Sequence, residues 1–177
     1  MKTIKKISAM LMTITMLVSL FFNISISAHA EPTEKTVETI IHETTEYFED
    51  GSSLTIIVTE VPTAMTAGDF SAIAQTDTYL KAGAKHYIFS DEDHNELWRF
   101  TVHGTFTVDP GVSATCTKDS FDFSISDDSW HNESASSYHS GNQAIGDAIF
   151  IRKILLLTVG TQTCHVTLTC DSNGNLT

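Results

Sequence analysis

Apolar and polar residues alternate most regularly along residues 96–108 of this 177-residue chain. Side chains at alternate positions of a strand point to opposite faces of its sheet, so the pattern predicts a strand with one buried and one hydrated face. The apolar set contains Trp98, which we therefore expect in the core. Its members are Trp98, Phe100, Val102, Gly104, Phe106 and Val108, and Arg99, Thr101, His103, Thr105 and Thr107 lie between them.

Two hairpins are predicted before residue 109. β-Branched residues are dense in residues 37–48 and 54–61, and an Asp50-Gly51 pair between them is typical of a hairpin turn. Apolar residues in 37–48 also fit helical spacing, which is the alternative for that run. Residues 78–90 and 96–108 are predicted to pair around the polar turn 91–95.

The remaining residues predict further strands. The apolar parity inverts between Cys116 and Phe121, which indicates a bulge near residues 118–120. The last strands are predicted over residues 144–159 and 162–170, with Gly160 between them. Since residues 149–159 are nearly continuously apolar apart from Arg152 and Lys153, these strands are predicted to be buried on both faces.

Together these strands predict an all-β fold, a two-sheet antiparallel β-sandwich of the immunoglobulin-like kind with an N-terminal β-hairpin. A small β-barrel is the alternative. The predicted divisions are an N-terminal hairpin and linker over residues 31–77 and a sandwich core over residues 78–177.

Residues 1–30 have the three parts of a cleavable export signal. Lysines at positions 2, 5 and 6 precede an uncharged run over residues 7–26, and Ala28 and Ala30 stand at the −3 and −1 positions before Glu31. We expect cleavage before Glu31, secretion of the remaining chain, and no integral membrane anchor after cleavage.

Charge narrows the range of partners. All twenty-two Asp and Glu residues follow the leader, but only seven of the ten Lys and Arg residues do, which gives the secreted part a formal net charge of −15. Such a charge repels nucleic acid and anionic membrane surfaces at long range. We therefore expect no nucleic-acid partner, and an extracellular or envelope protein or glycan instead.

The chain has three cysteines, Cys116, Cys164 and Cys170. Cys164 and Cys170 lie ~20 Å apart if both are on one extended strand, whereas a disulfide needs Cα atoms within about 7 Å. Cys116 is therefore expected to pair with one of the two, and the spacing leaves both pairings open.

Several short motifs occur in a characteristic order. They are Trp98-Arg99-Phe100-Thr101-Val102, Gly104-Thr105-Phe106-Thr107, Ala114-Thr115-Cys116-Thr117, Ser129-Trp130, Ser140-Gly141-Asn142 and Val166-Thr167-Leu168-Thr169-Cys170-Asp171. Over about residues 47–177 the chain resembles a group of small secreted proteins of unknown function from Gram-positive bacteria. The resemblance implies a secreted all-β domain with a Cys116–Cys170 bridge, and it implies no activity. Cys164 lies outside the shared pattern, and its apolar strand neighbours favour a buried free thiol over an intermolecular link.

Two sets of residues are weak metal candidates. Asp91, Asp93 and Asn95 alternate as at the start of a calcium loop, but the glycine and the final glutamate of such a loop are missing, so a polar turn is favoured. If Asp91 pairs with Glu96, His86 lies opposite Thr101 and diagonal to His103, at roughly 7–8 Å. No third ligand is evident, and zinc sites need three or four. We expect no metal and no cofactor.

No catalytic motif is evident. Ser129 and Ser137 lie near histidines in sequence, but triads assemble in space, so adjacency is no evidence for one. Trp130 stands among Ser, His and Asn residues and is expected as an exposed ring for binding. The sequence thus predicts a non-catalytic interaction domain acting at or outside the cell envelope. The alternatives are a secreted toxin or bacteriocin-like factor, and a metal-dependent or hydrolytic extracellular enzyme.

Overall fold

In the computed structural model, which describes residues 38–62 and 78–177, eight strands account for the regular structure. The predicted leader and most of the predicted linker lie outside the described residues. Among the described residues, no helix is long and apolar enough to span a membrane. The strands are β1 (Thr39–Tyr47), β2 (Ser53–Val61), β3 (Tyr79–Ser90), β4 (Glu96–Asp109), β5 (Ser113–Ile125), β6 (Trp130–Ser140), β7 (Gln143–Ile154) and β8 (Leu157–Thr169).

The strands form two antiparallel sheets. Sheet A has the order β1-β2-β3-β4-β5 and sheet B has the order β6-β7-β8, and the two do not close into a barrel. The predicted all-β sandwich is therefore confirmed. Each strand lies beside its neighbour in sequence, so both sheets are meanders, in contrast to the Greek-key connections of immunoglobulin domains. The N-terminal hairpin belongs to sheet A, because β2 pairs with β3.

The core lies between β4 and sheet B, and the predicted alternation holds along β4 except at Thr101, which was predicted on the hydrated face and is buried. Trp98, Phe100 and Val102 on the inner face of β4 are buried, as are Phe150 and Val166 in the opposite layer. The ring of Trp98 stacks on Phe150 with a centroid distance of 4.3 Å. The prediction that Trp98 lies in the core is confirmed.

Three register shifts adjust sheet A, and one of them lies between Phe89 and Ser90 in the β3–β4 pairing. Cys116 pairs with Phe106 and Lys118 with Thr105, so Thr117 is the extra residue that inverts the parity of β5, just before the predicted position. Within the run 37–48, Thr39–Tyr47 form strand β1, which agrees with the predicted strand, and its register shifts between Ile40 and His42. β1 is the edge strand and is exposed along its whole length.

The prediction of fully buried strands over residues 149–159 is wrong. Phe150 and Ile151 are buried, but every side chain from Arg152 to Val159 is exposed. The chain reverses at Leu155 and Leu156, and Ile154 pairs with Leu157, so Gly160 lies within β8. The apolar run combines the end of a core strand with a hairpin tip, and no strand of sheet A covers that tip.

Candidate functional site

The two histidines of the predicted metal pair lie on the outer face of sheet A. His86 pairs with Thr101 in the β3–β4 register, as predicted. Its Nδ1 is 3.1 Å from Thr101 Oγ1, and its Nε2 is 3.1 Å from Thr59 Oγ1. His103 Nε2 is instead 2.6 Å from Asp122 Oδ2. Each imidazole thus has its own hydrogen-bond partners.

These partners leave no shared ligand position between His86 and His103. Burial lowers the pKa of His86, against the opposing effect of Glu38, so the ring favours its neutral form. In the described part of the chain, no three His, Cys, Asp or Glu side chains converge as metal ligands.

The carboxylate of Asp91 closes its own turn. Its Oδ1 accepts hydrogen bonds from the backbone N–H groups of Asp93 at 3.0 Å and Asn95 at 2.8 Å, and the side-chain amide of Asn95 donates to both carboxylate oxygens. These bonds, the Asn95 amide first, lower the pKa of Asp91. The polar groups of this turn are hydrogen-bonded to one another, and residues 171–175 form the same arrangement near the C-terminus.

Ser137, Asp119 and His139 form a Ser–Asp–His group between β5 and β6. Ser137 Oγ donates to Asp119 Oδ2 at 2.5 Å, and His139 Nδ1 lies 2.6 Å from Asp119 Oδ1. In a catalytic triad the histidine stands between serine and carboxylate and removes the serine proton. Here the carboxylate stands in the middle, so this group ties the two sheets together without activating Ser137.

Trp130 is buried, and the expectation of an exposed ring is wrong. It is 6% exposed, and its ring lies 5.8 Å from that of Phe89 and 6.3 Å from that of Trp98. The polar neighbours of Trp130 suggested a surface position, but β6 begins at this residue and directs its ring into one end of the core.

All three cysteines are buried free thiols in the structure, which contains no disulfide among them, and the Cys116–Cys170 bridge stays a prediction. Cys116 and Cys170 nevertheless flank one turn: their backbone N–H groups donate to the consecutive carbonyls of Gly141, at 2.8 Å, and Asn142, at 3.0 Å. Cys164 is buried as a core residue, and burial raises its pKa to about 12. Since the thiolate is the reactive form, the Cys164 thiol is a poor nucleophile near neutral pH.

Cys164 lines a cavity of 210 Å³, which we call the aromatic slot. Residues 162–165 of β8 form one wall. The indole N–H of Trp98, a residue of the opposite wall, is buried without a hydrogen-bond partner. That wall comprises Phe48, Leu54, Tyr87, Phe89 and Trp98 from β2, β3, β4 and the turn after β1.

A larger hollow of 320 Å³ lies on the outer face of sheet A. Its polar lining residues are His103, Thr105, Lys118, Asp119 and Ser120. His103 is already bonded to Asp122, and the carboxylate of Asp119 is bonded to Ser137 and His139, so these two groups are engaged within the protein. The aromatic slot combines apolar rings with the polar residues Thr163 and His165, and mostly apolar walls with a few polar groups are the usual chemistry of a binding site. The slot is therefore the stronger candidate.

No pattern in the sequence predicted the aromatic slot. Trp98 and Phe89 were identifiable as apolar strand residues, but the slot exists because β8 packs across β3 and β4, and no local pattern encodes that placement.

No family model, no curated protein and no solved structure matches this chain. The resemblance to small secreted proteins of Gram-positive bacteria accordingly stays a prediction, as does export before Glu31. Function has to be argued from the residues of the slot and of the surface.

Proposed function

We propose that this protein is a secreted, non-catalytic binding domain that takes one apolar group of its partner into the aromatic slot. The observation that carries the proposal is the slot itself, with its ring-lined wall and its volume of 210 Å³. That volume exceeds the ~150 Å³ of an engineered cavity that binds benzene and lies below the ~300 Å³ at which sites for whole small molecules begin. One ring or one aliphatic chain fits such a space.

The polar groups of the slot support a directional contact. The buried indole N–H of Trp98 has no acceptor among residues 38–62 and 78–177, and leaving a buried donor unpaired costs about 1–3 kcal/mol. A ligand group with an acceptor atom beside its apolar part would recover that cost. Thr163 and His165, which are exposed, supply a polar rim.

The chemistry of two potential nucleophiles, Cys164 in the slot and Ser137 outside it, favours binding over catalysis. The thiol of Cys164 faces the slot in its protonated form, because burial raises its pKa to about 12. The hydroxyl of Ser137 donates a hydrogen bond to the Asp119 carboxylate rather than to an imidazole that could act as its base.

Benzyl alcohol, which joins one ring to one hydroxyl, is a suitable probe. In a ¹⁵N–¹H spectrum the chain has two indole resonances, from Trp98 and Trp130, and we expect the Trp98 resonance to shift saturably as the probe is added. Leu54→Phe fills the slot and should abolish that shift, whereas the matched variant Ile40→Phe, on exposed edge strand β1, should retain it. An unchanged Trp98 resonance in the wild-type protein would overturn the proposal.

Export and the cysteine bridge belong to the same proposal and are tested by mass spectrometry of protein collected from the medium. A chain that begins at Glu31 and takes up one alkyl group after denaturation, at Cys164, would support both. Three alkylated thiols would argue against the Cys116–Cys170 bridge, and retention of the chain inside the cells would argue against export.

A further inference from the structure

The hairpin between β7 and β8 ends in an exposed aliphatic surface, which we call the β7–β8 tip (residues 154–159). Leu155 is 91% exposed and Leu156 is 99% exposed. Ile154, Leu157 and Val159 are each more than half exposed. Single exposed apolar residues are ordinary, but a contiguous apolar patch marks an interaction site.

The tip is convex and projects from the sandwich. Both strands of the hairpin are exposed from Arg152 and Gly160 outward, apart from partial burial of Gly160 itself. Three residues of extended chain on each side span ~10 Å, which is the depth to which interfacial segments enter a bilayer. The pairs Ile154–Leu157 and Lys153–Thr158 bond the backbone groups that the two strands of this projection turn toward each other.

The charges near the tip suit phospholipid headgroups. Arg152 and Lys153, directly behind the tip, are the only Lys, Arg, Asp or Glu residues between Asp147 and Asp171. Residues 130–169 of sheet B have two acidic and two basic residues. The described residues of sheet A and its turns have thirteen acidic and four basic ones. The tip thus belongs to sheet B, in which acidic and basic residues balance. Arg152 and Lys153, directly behind the tip, can contact headgroup phosphates.

We propose that the β7–β8 tip inserts into the surface of a phospholipid bilayer. The tip presents five aliphatic side chains on a convex projection, which a fluid bilayer accepts without a preformed pocket. The aromatic slot of a second copy, at 210 Å³, has room for a single apolar group and cannot enclose the tip. This inference rests on residues separate from the slot, so either proposal can fail without the other.

The test is sedimentation with phosphatidylcholine vesicles, which have no net charge and so avoid repulsion of the acidic sheet. The protein is taken from the medium, and its N-terminus is checked by mass, because a retained leader would itself bind lipid. We expect the wild-type protein to bind, and Leu155→Ser combined with Leu156→Ser to weaken binding at least ~10-fold, since transfer of apolar surface supplies the attraction. Arg152→Gln combined with Lys153→Gln should weaken it about threefold.

Val112→Ser is the matched control. Val112 is 72% exposed in the β4–β5 turn, far from the tip in sequence, and its replacement should leave vesicle binding unchanged. Absence of binding by the wild-type protein, or equal binding by the double-serine variant, would overturn the proposal. So would a wild-type dimer in lipid-free buffer that becomes monomeric in the double-serine variant, because the tip would then be an interface between copies.

Discussion

Two hairpin ends of this molecule each hold a residue other than glycine at a positive φ, but one end is polar and the other is aliphatic. The β3–β4 turn places His94 at a φ of 64°, and the β7–β8 tip places Leu155 at a φ of 54°. Both lie in the left-handed region that disfavours side chains other than glycine and asparagine. At the β3–β4 turn the Asp91 carboxylate accepts hydrogen bonds from Asp93 and Asn95 and fixes the turn. At the β7–β8 tip the side chains are aliphatic and nearly fully exposed.

The β3–β4 turn is stabilised by its own hydrogen bonds, whereas the side chains of the β7–β8 tip are left for contacts outside the chain. Strain at Asp91–Asn95 is offset within the turn by hydrogen bonds, so this end is complete in the isolated protein. The Leu155 and Leu156 side chains gain nothing comparable inside the chain. The positive φ and the exposed apolar side chains of the β7–β8 tip have no compensating contact within the described residues, and uncompensated strain of this kind is typical of functional sites.

The largest expected difference between the two ends is their response to acid. Hydrogen bonds, from Asn95 first, lower the pKa of Asp91 below 3.8, so its stabilising effect is fully present above that value and is lost as the pH falls through the lowered pKa. The β7–β8 tip has no carboxylate. In the part of the chain that the structure describes, the other carboxylates with lowered pKa values are those of Asp50, Asp119, Asp127 and Asp171.

Urea unfolding from pH 7 to pH 2 measures this loss. We expect the midpoint to fall below about pH 4 in the wild-type protein and to fall less steeply in Asp91→Asn. Leu155→Gly should run parallel to the wild-type curve. An Asp91→Asn curve with the full wild-type slope would contradict the role of the carboxylate.

Next in size is removal of the Asp91 side chain. Asp91→Ala leaves the turn N–H groups without their acceptor, and we expect the thermal midpoint to fall by about 4 °C. The control is Asp93→Ala in the same turn, because the structure shows only the backbone N–H of Asp93 bonded to Asp91. Equal effects of the two substitutions would show that the turn does not depend on the Asp91 carboxylate.

A glycine at the β7–β8 tip should act in the opposite direction. Leu155→Gly removes the side chain that the positive φ disfavours, and we expect a gain of about 0.5–1 kcal/mol in the free energy of unfolding. Leu156→Ala is the comparison, with a change below ~0.5 kcal/mol because the side chain is exposed. Chemical denaturation of both variants tests this, and a loss of stability in Leu155→Gly would show that the leucine packs against the protein.

The smallest effect is expected for His94→Gly. Histidine tolerates the left-handed region better than leucine does, and the imidazole also meets the ring of Tyr47 edge-on at 6.3 Å. Relief of strain and loss of this contact should nearly cancel, with a net change below ~0.5 kcal/mol by denaturation. A gain as large as that of Leu155→Gly would remove the distinction between the two ends.

Local patterns in the sequence were sufficient for much of the fold. The alternation around Trp98 predicted a core strand. The pairing of His86 with Thr101 followed from an expected pairing of Asp91 with Glu96; Glu96 instead pairs with Ser90, and the register shift next to Phe89 restores the predicted partners. The polar turn itself was predictable because Asp91 bonds to residues two and four positions away. In each case the deciding interaction lies within one strand or one hairpin.

The wrong or missing parts depend on packing between sheets. Trp130 has polar sequence neighbours, yet its burial is decided by Phe89 and Trp98 of the other layer. Residues 154–159 have the composition of a core strand and are exposed only because sheet A does not reach them. The aromatic slot likewise depends on where β8 crosses the face of β3 and β4.

The bulge in edge strand β1 bears on how the folded protein behaves at high concentration. An exposed edge with continuous backbone hydrogen-bonding groups is a template onto which another chain can add a strand, and growth of this kind leads to fibrils. The register shift between Ile40 and His42 interrupts that template, and Glu43 and Glu46 add like charges that would oppose each other in a paired copy. We expect sheet A to end at β1 even in concentrated solution, so that the two isoleucines exposed there, Ile40 and Ile41, do not start an ordered aggregate.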